Sequence, residues 1–123
     1  MSDQPIATRL QVKGDRLLAV SGAPESVDRA IGVPERRVPV EAAAIVLVFV
    51  RDKAALGATL PDLLGRISAE AILWLAYPKL SSPLAGDLNR DIIRALVPAW
   101  GLDPVSQIAI DDDWSALRLK RIG

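Results

Sequence analysis

The stretch AAAIVLVFV, residues 42–50, is apolar at every position and is bounded by Glu41 and Arg51. A short run of this kind, rich in β-branched residues, is typical of a parallel strand that is covered on both faces. The run AILWLAY, residues 71–77, has the same character. These two runs predict the central strands of a parallel sheet.

Between the two runs lies a segment with helical periodicity. Its apolar residues recur at intervals that place them on one helical face; they are Leu56, Leu60, Leu63, Leu64 and Ile67. Asp52 is positioned to cap the start of this helix, and Pro61 is expected to kink the helix or split it in two. A helix between two parallel strands completes a βαβ unit.

A further strand and helix are predicted upstream of this unit. Residues 16–20 favour a strand, residues 24–31 a short helix, and residues 37–40 a brief edge strand. Residues 1–13 are of mixed character, and we expect them to form a loosely packed N-terminal arm. Since 123 residues suffice for one ordinary domain but not for two, we assign residues 14–123 to a single α/β domain.

The C-terminal part of the chain predicts a helix followed by two strands. Asp87 is the expected cap of this helix and Gly101 its stop, and its apolar stripe consists of Ile92, Ile93, Leu96, Val97 and Trp100. Residues 105–110 and 115–121 are predicted strands, and the tight turn between them predicts antiparallel pairing. The resulting fold class is a three-layer Rossmann-like α/β sandwich, with parallel central strands and a C-terminal antiparallel β-hairpin at one edge.

Composition excludes several kinds of chemistry. The chain has no cysteine and no histidine, so disulfides, thiolate or imidazole metal sites and a Ser-His-Asp triad are impossible within it. Any proton transfer would fall to Asp, Glu, Lys or Tyr side chains. We expect no metal ion and no bound cofactor, and the missing catalytic groups favour a protein that is not an enzyme.

Charge and hydropathy bear on partners and location. Fifteen basic and fifteen acidic residues cancel, which argues against nucleic acid or an anionic membrane as a partner. The apolar run at 42–50 is less than half of the roughly 20 residues that span a bilayer as a helix, and the start MSDQPIATRL lacks the features of a signal peptide. We therefore expect a cytoplasmic protein.

The candidate ligand site lies at the carboxyl ends of the predicted parallel strands, because ligands of open α/β sheets bind there. Loops that follow three strands are predicted to meet at this edge, together with the turn of the C-terminal hairpin. The candidate binding residues on these segments are Gly22, Ala23, Glu25, Tyr77, Lys79, Ser82, Asp111 and Trp114. In the functional interpretation, Lys79 lies over a ligand carboxylate or phosphate and Tyr77 packs beside it.

Each candidate also has a purely structural explanation. The sequence YPK at 77–79 ends a buried strand. Proline has no amide hydrogen for strand pairing, and the charged lysine lies in solvent where the chain leaves the sheet. Consecutive aspartates at 111–113 suit turn chemistry better than cation ligation, because neighbouring residues in a turn do not point the same way. Trp114 either closes a pocket or locks the hairpin as a core aromatic, and a lone Gly22 suits an ordinary strand-to-helix turn.

The order of elements, which ends in a strand, a helix and an antiparallel hairpin, resembles the second half of a class I S-adenosylmethionine-dependent methyltransferase. The resemblance implies a glycine-rich cofactor loop after the first strand and an acidic ribose ligand that ends the second. Here the loop is VSGAPES, residues 20–26, with Gly22 as its single glycine. Glu35 and Glu41 are the candidates for the acidic ligand.

Short motifs along the chain are similar to those of a small bacterial family of unknown function that is common in actinobacteria. They are VKG at 12–14, GAPE at 22–25, WLAYPK at 74–79, DL at 87–88, GL at 101–102 and DDDWSALRL at 111–119. This resemblance covers nearly the whole chain from Pro5 onward. It implies a Rossmann-like, methyltransferase-like fold and supplies no activity.

These observations favour a small non-catalytic α/β protein that binds a protein partner or a small anionic ligand at the C-terminal edge of its sheet. Two alternatives stay open. One is a reduced S-adenosylmethionine-dependent methyltransferase-like enzyme, which requires the VSGAPES loop to reach the cofactor. The other is a homodimeric structural or assembly protein that associates through an edge strand or an apolar helix face.

Overall fold

The computed structural model describes residues 5–122 and contains one mixed sheet. Its strands are β1 (Leu18–Ser21), β2 (Ile45–Phe49), β3 (Ile72–Pro78), β4 (Leu102–Ala109) and β5 (Trp114–Arg121). They lie side by side in the order β1-β2-β3-β5-β4. The first three strands are parallel, and β5 runs antiparallel to both β3 and β4. The predicted fold class and the predicted C-terminal hairpin are therefore confirmed.

Helices cover both faces of this sheet. They are α1 (Ile6–Arg9), α2 (Glu25–Ile31), α3 (Lys53–Leu64) and α4 (Arg90–Leu96), with 3-10 turns at Pro34–Arg36, Val40–Ala42 and Val97–Trp100. Apolar residues of α1 and α2 share one core with Leu47 and Trp74, whereas those of α3 and α4 share a second core with Val48 and Leu75. No helix in residues 5–122 combines the length and apolar character needed to cross a membrane.

The uniform apolar run that contains β2 is explained by these two cores. Successive side chains of a strand point to opposite faces of the sheet. Leu47 accordingly packs against the α1 and α2 layer, and Val48 packs against the α3 and α4 layer. A polar residue at either position would be buried without a partner, so every position of the strand is apolar.

Helix α3 begins where the sequence predicted and continues past its proline. Asp52 caps it, since its Oδ1 accepts a hydrogen bond of 2.7 Å from the Ala55 amide. Of the two expected effects of Pro61, a kink or a split, the split is wrong, because one helix runs from Lys53 to Leu64. Pro61 and Gly57, one turn earlier, are both exposed, so water can satisfy the carbonyl that proline leaves without an amide donor.

The predicted cap of α4 is also wrong. Asn89 caps this helix by accepting a 3.0 Å hydrogen bond from the Ile92 amide. The Asp87 carboxylate instead accepts a 2.9 Å hydrogen bond from the Lys53 amide, at the start of α3. Gly101, at φ +74°, ends the turn that follows α4, as expected.

The segment expected to form an edge strand at 37–40 makes a single bridge. Arg37 pairs with Leu18 in parallel at the outer edge of β1, and the Val38 amide donates a 3.0 Å hydrogen bond to the Leu18 carbonyl. Pro39 has no amide hydrogen and cannot extend the ladder. The chain then forms the 3-10 turn Val40–Ala42 and enters β2.

The N-terminal segment is packed against the sheet. Ile6 and Leu10 are buried, and the Trp74 indole donates a 3.1 Å hydrogen bond to the Leu10 carbonyl. The expectation of loose packing is therefore wrong for residues 5–10, because their apolar face covers β3. Residues 1–4 of the expected arm lie outside the described residues, and the domain boundary at residue 13 stays a prediction.

Candidate functional site

The structure brings five of the predicted site residues together where β3 meets the hairpin turn. Pro78 pairs with Trp114 in the sheet, and the Lys79 amide donates a 2.8 Å hydrogen bond to the Asp113 carbonyl. The Ser82 hydroxyl donates a 2.9 Å hydrogen bond to Asp113 Oδ1. Tyr77, Lys79, Ser82, Asp111 and Trp114 consequently belong to one continuous cluster at the carboxyl edge.

Asp111 closes the hairpin turn. Its Oδ1 accepts hydrogen bonds from the Asp113 amide at 2.8 Å and the Trp114 amide at 2.9 Å. An aspartate that bonds the backbone two and three residues onward is ordinary turn chemistry. Within residues 5–122 no group of three acidic side chains is arranged to hold a metal ion.

Trp114 lies in the core beneath this edge and is 2% exposed. Its ring meets that of Phe49 edge to face, with centroids 5.0 Å apart. Such a pair stabilises packing beyond the area it buries. Trp114 therefore links the hairpin to the end of β2, which agrees with its structural interpretation as a core aromatic that locks the hairpin.

The remaining predicted residues lie after β1. Gly22 has φ +76°, and a Cβ built on it would lie 2.9 Å from the Phe49 carbonyl oxygen, so the loop crosses directly over the end of β2. Ala23 follows half-buried, and Glu25 points along α2 to form an exposed ion pair of 2.9 Å with Arg29. This part of the site is thus next to β2, separate from the Tyr77 and Lys79 cluster.

A cleft of about 370 Å³ opens beside the end of β3. We call it the β3 cleft; among its lining residues are Tyr77, Lys79, Leu80, Arg90, Asp91 and Ser115. It lies between the end of β3, the start of α4 and the hairpin strands, so the loop 79–89 begins and ends at the cleft. Its volume is in the lower range of small-molecule sites.

Tyr77 and Ser115 form the buried floor of the β3 cleft, with 4% and 5% of their surfaces exposed. They are paired residues in the antiparallel register of β3 and β5. Burial raises the pKa of the Tyr77 phenol above its usual value, while Arg90, the Ser115 hydrogen bond and Arg94 act in the opposite direction. The phenol keeps its proton near pH 7, as an ordinary tyrosine does, and can donate a hydrogen bond.

Neither glutamate expected to bind ribose lies near Gly22. Glu41 belongs to the 3-10 turn that leads into β2, at the opposite end of the strand, and binds the Arg66 guanidinium at 3.0 Å. Hydrogen bonding to the backbone of Glu41 and to Arg66 lowers the pKa of its carboxyl. Glu35 precedes the bridge of Arg37 to the first residue of β1, which is also the amino edge. Both assignments are wrong because strand direction puts these residues on the far side of the sheet.

Asp52 is an acidic residue that does lie at the carboxyl edge, three residues after Phe49, whose carbonyl oxygen Gly22 approaches. It follows β2, the neighbour of β1, and its side chain is exposed. The sequence interpretation recognised it only as a helix cap. The available signal was its position directly after the apolar run 42–50, where a residue must leave the carboxyl end of that strand.

No protein-family model and no curated protein matches the chain. Its fold is similar to that of the B. subtilis tRNA methyltransferase TrmK, with a TM-score of 0.57 and 8% identity over 100% of this chain and 67% of that one. The mitomycin 7-O-methyltransferase MmcR gives a TM-score of 0.55 and 9% identity, over 86% of this chain and 49% of that one. LepI, solved in complex with SAM, gives 0.55 and 12% identity, over 94% and 39%.

These likenesses establish a methyltransferase-like fold, and this chain spans about half or less of the length of MmcR and LepI. They also correct our first functional interpretation. Two of the three similar structures are named as methyltransferases and the third contains SAM, which favours the methyltransferase-like alternative. The interpretation of the chain as a non-catalytic binding protein is therefore wrong.

Proposed function

We propose that the protein is a methyltransferase-like enzyme of reduced size that binds S-adenosylmethionine where β1 and β2 end. The observation that carries the proposal is the conformation of Gly22, which is exposed and has φ +76°. A Cβ there would collide with the Phe49 carbonyl oxygen at 2.9 Å. The turn therefore needs glycine to cross so closely over the next strand, as cofactor loops of α/β proteins do.

Asp52 is the residue suited to the ribose of such a cofactor. Its Oδ1 accepts the 2.7 Å hydrogen bond from Ala55 that caps α3. An ionised carboxylate offers a second oxygen and further lone pairs. Oδ2 of the exposed Asp52 can thus accept hydrogen bonds from ribose hydroxyls while Oδ1 keeps its structural role.

Gly22 and Asp52 together fit the nucleoside part of S-adenosylmethionine, because a tight glycine turn and an exposed carboxylate follow adjacent parallel strands. When bound, S-adenosylmethionine supplies a methyl group carried on a positively charged sulfur. The protein's residues hold the nucleoside, and the buried Phe49 and Trp114 rings keep water from beneath the edge. A proton released by an acceptor would pass to a carboxylate or to water, since the chain has no histidine.

Calorimetric titration of the purified protein with S-adenosylmethionine and with S-adenosylhomocysteine tests this proposal. We expect saturable binding of both compounds. Asp52→Asn should weaken binding by about tenfold or more, because a hydrogen bond to a charged group contributes about 1.5–3 kcal/mol, whereas the asparagine still caps α3. Gly22→Val should abolish binding, and its melting temperature shows whether the variant is folded.

Asp103→Asn is the matched control for the Asp52 variant. It makes the same exchange at an exposed aspartate at the start of β4, the strand at the opposite edge of the sheet from β1. Its affinity should equal that of the wild type. Absence of binding to the wild type, or equal affinities for the wild type and Asp52→Asn, would overturn the proposal.

Membership of the small bacterial family and a cytoplasmic location belong to the same proposal. Their support is the sequence alone, chiefly the motifs WLAYPK at 74–79 and DDDWSALRL at 111–119. Fractionation of cells that express the full-length protein tests the location. Recovery of the protein in the membrane or secreted fraction would contradict it.

A further inference from the structure

The β3 cleft lies at the same edge of the sheet as the proposed cofactor crevice. The end of β3 is two strands away from the end of β1, which corresponds to about 10 Å at the usual strand spacing. A ligand in the cleft would therefore lie at the same edge as a nucleoside bound at Gly22 and Asp52, on the side of β3 that faces the hairpin strands. The second substrate of a transfer from that cofactor has to bind at this edge as well.

Positive charge prevails around the cleft. Lys79 and Arg90 line it, and Asp91 is the carboxylate among its lining residues. Arg90 and Asp91 are 3.9 Å apart and both are largely exposed, so solvent screens this pair and it neutralises Arg90 only weakly. Arg94 adds a further cation near the Tyr77 phenol.

The floor of the cleft is polar although it is buried. Tyr77 and Ser115 are paired across β3 and β5, and both line the cleft. A hydroxyl both donates and accepts hydrogen bonds. The two hydroxyls can therefore bind a ligand hydroxyl or carbonyl.

Leu80 adds an apolar surface to the rim of the same cleft. It is 73% exposed and lines the cleft together with Lys79 and Arg90. A single exposed leucine needs no explanation by itself. Beside Lys79 and Arg90, however, it offers an apolar contact for a molecule whose anionic group the cations bind.

We propose that the β3 cleft binds the methyl acceptor of this protein, and that the acceptor is a small organic anion with an apolar body. The inference rests on the proposed function. Lys79 and Arg90 hold the carboxylate or phosphate of the acceptor, Leu80 covers its apolar body, and the Tyr77 and Ser115 hydroxyls bind its polar substituent. Basic and acidic residues are equal in number, so nothing attracts a long nucleic acid in general.

The test is a titration of the full chain without S-adenosylmethionine, using benzoate, phenyl phosphate, inorganic phosphate and neutral benzyl alcohol. We expect one or both aromatic anions to bind and benzyl alcohol not to bind. Preference for phenyl phosphate over benzoate identifies a phosphate acceptor, and the reverse identifies a carboxylate. Leu80→Ser should weaken binding of the aromatic anion and leave that of inorganic phosphate unchanged.

Charge variants test the assigned contacts. Lys79→Met and Arg90→Met should each weaken anion binding by about tenfold, which corresponds to a loss of about 1.4 kcal/mol of binding free energy. Lys120→Met is the matched control, because Lys120 is an exposed lysine on β5 outside the β3 cleft, and its affinity should not change. Thermal melting checks that each variant is folded.

Two outcomes overturn the inference: benzyl alcohol binding as tightly as the anions, or anion binding that is insensitive to both Lys79→Met and Arg90→Met. If the protein binds S-adenosylmethionine but none of the anions, the acceptor site is refuted and the proposed function stands. Anion binding that depends on Lys79 without any S-adenosylmethionine binding removes the proposed function, and with it the role of the cleft as an acceptor site.

Discussion

At the scale of single residues, the Tyr77 phenol has a raised pKa because the floor of the β3 cleft is buried. Arg90, the Ser115 hydroxyl and Arg94 lower this pKa, and Asp91 raises it. Burial is the largest influence and raises its pKa above the usual 10.0. At pH values just above 10.0, the folded protein therefore keeps the Tyr77 proton that the unfolded chain has released.

This difference predicts that stability falls as pH rises above about 10, because the unfolded state binds fewer protons there. Tyr77→Phe lacks this contribution, so its free energy of unfolding should fall less steeply in urea denaturation. Tyr77 is the single tyrosine of the chain, and the ultraviolet absorbance of tyrosinate therefore reports its pKa directly. A titration midpoint at or below 10.0, the ordinary value, would contradict the prediction.

The sequence could not distinguish the roles of Asp87 and Asn89. Both are good capping residues, and they lie two positions apart in the same loop. Asn89 caps its own helix, α4, whereas Asp87 accepts its hydrogen bond from Lys53 in α3. That second contact joins segments distant in the chain, so local periodicity contains no information about it.

At the scale of elements, backbone amides at the start of α3 donate hydrogen bonds to two carboxylates. Asp52 bonds the Ala55 amide at 2.7 Å and Asp87 bonds the Lys53 amide at 2.9 Å. The first contact is local to the helix. The second contact fixes the loop 79–89, which borders the β3 cleft, to the start of α3.

Loss of this second contact should have a moderate cost. Asp87→Ala is expected to lower the free energy of unfolding by about 1 kcal/mol, because an exposed amide that loses its acceptor is hydrated by water. Asp87→Asn keeps an acceptor oxygen and should cost about half as much or less. Urea denaturation of the three proteins measures the difference, and an equal or larger loss in the asparagine variant would refute this role.

At the scale of the whole molecule, the two outer strands of the sheet, β1 and β4, differ in the features that limit pairing with another strand. The outer edge of β1 is met by Arg37 through one bridge. The edge strand β4 carries Pro104 and an irregularity in its pairing between Pro104 and Ser106. Proline and bulges discourage strand pairing between molecules, although Val105 is exposed there. Homodimerisation through this edge stays a prediction that sedimentation can test.

The N-terminal segment depends on a contact with the centre of the sheet. Trp74 is 1% exposed and donates its indole hydrogen to the Leu10 carbonyl at 3.1 Å. Trp74→Phe should lower the free energy of unfolding by about 2–3 kcal/mol, through the lost volume and an unsatisfied carbonyl. Amide exchange of residues 6–12 should increase as well.

Trp100→Phe is the control for this variant. Trp100 is only half-buried and packs against the other core of the sheet. The Trp100→Phe substitution should lower the free energy of unfolding by less than Trp74→Phe does, and should leave amide exchange in residues 6–12 unchanged. Equal exchange of those residues in the Trp74 variant and the wild type would show that the indole contact does not hold the segment.

The sequence by itself determined the layered architecture of this protein, in which helices cover both faces of one sheet. Two short runs that are apolar at every position require cover on both faces, and the helical stripes between and after them supply that cover. The Asp52 cap, the Gly101 stop and the C-terminal hairpin are equally local, so their residue types predicted them.

Only the tertiary structure decided which distant segments meet. The order that places β5 between β3 and β4 brings Ser115 opposite Tyr77. Strand direction puts Glu41 at the opposite edge from Gly22 and leaves Asp52 at the same edge. Such contacts depend on the register and order of whole strands. The energies that select them come from burial across the entire sheet, which no short stretch of sequence contains.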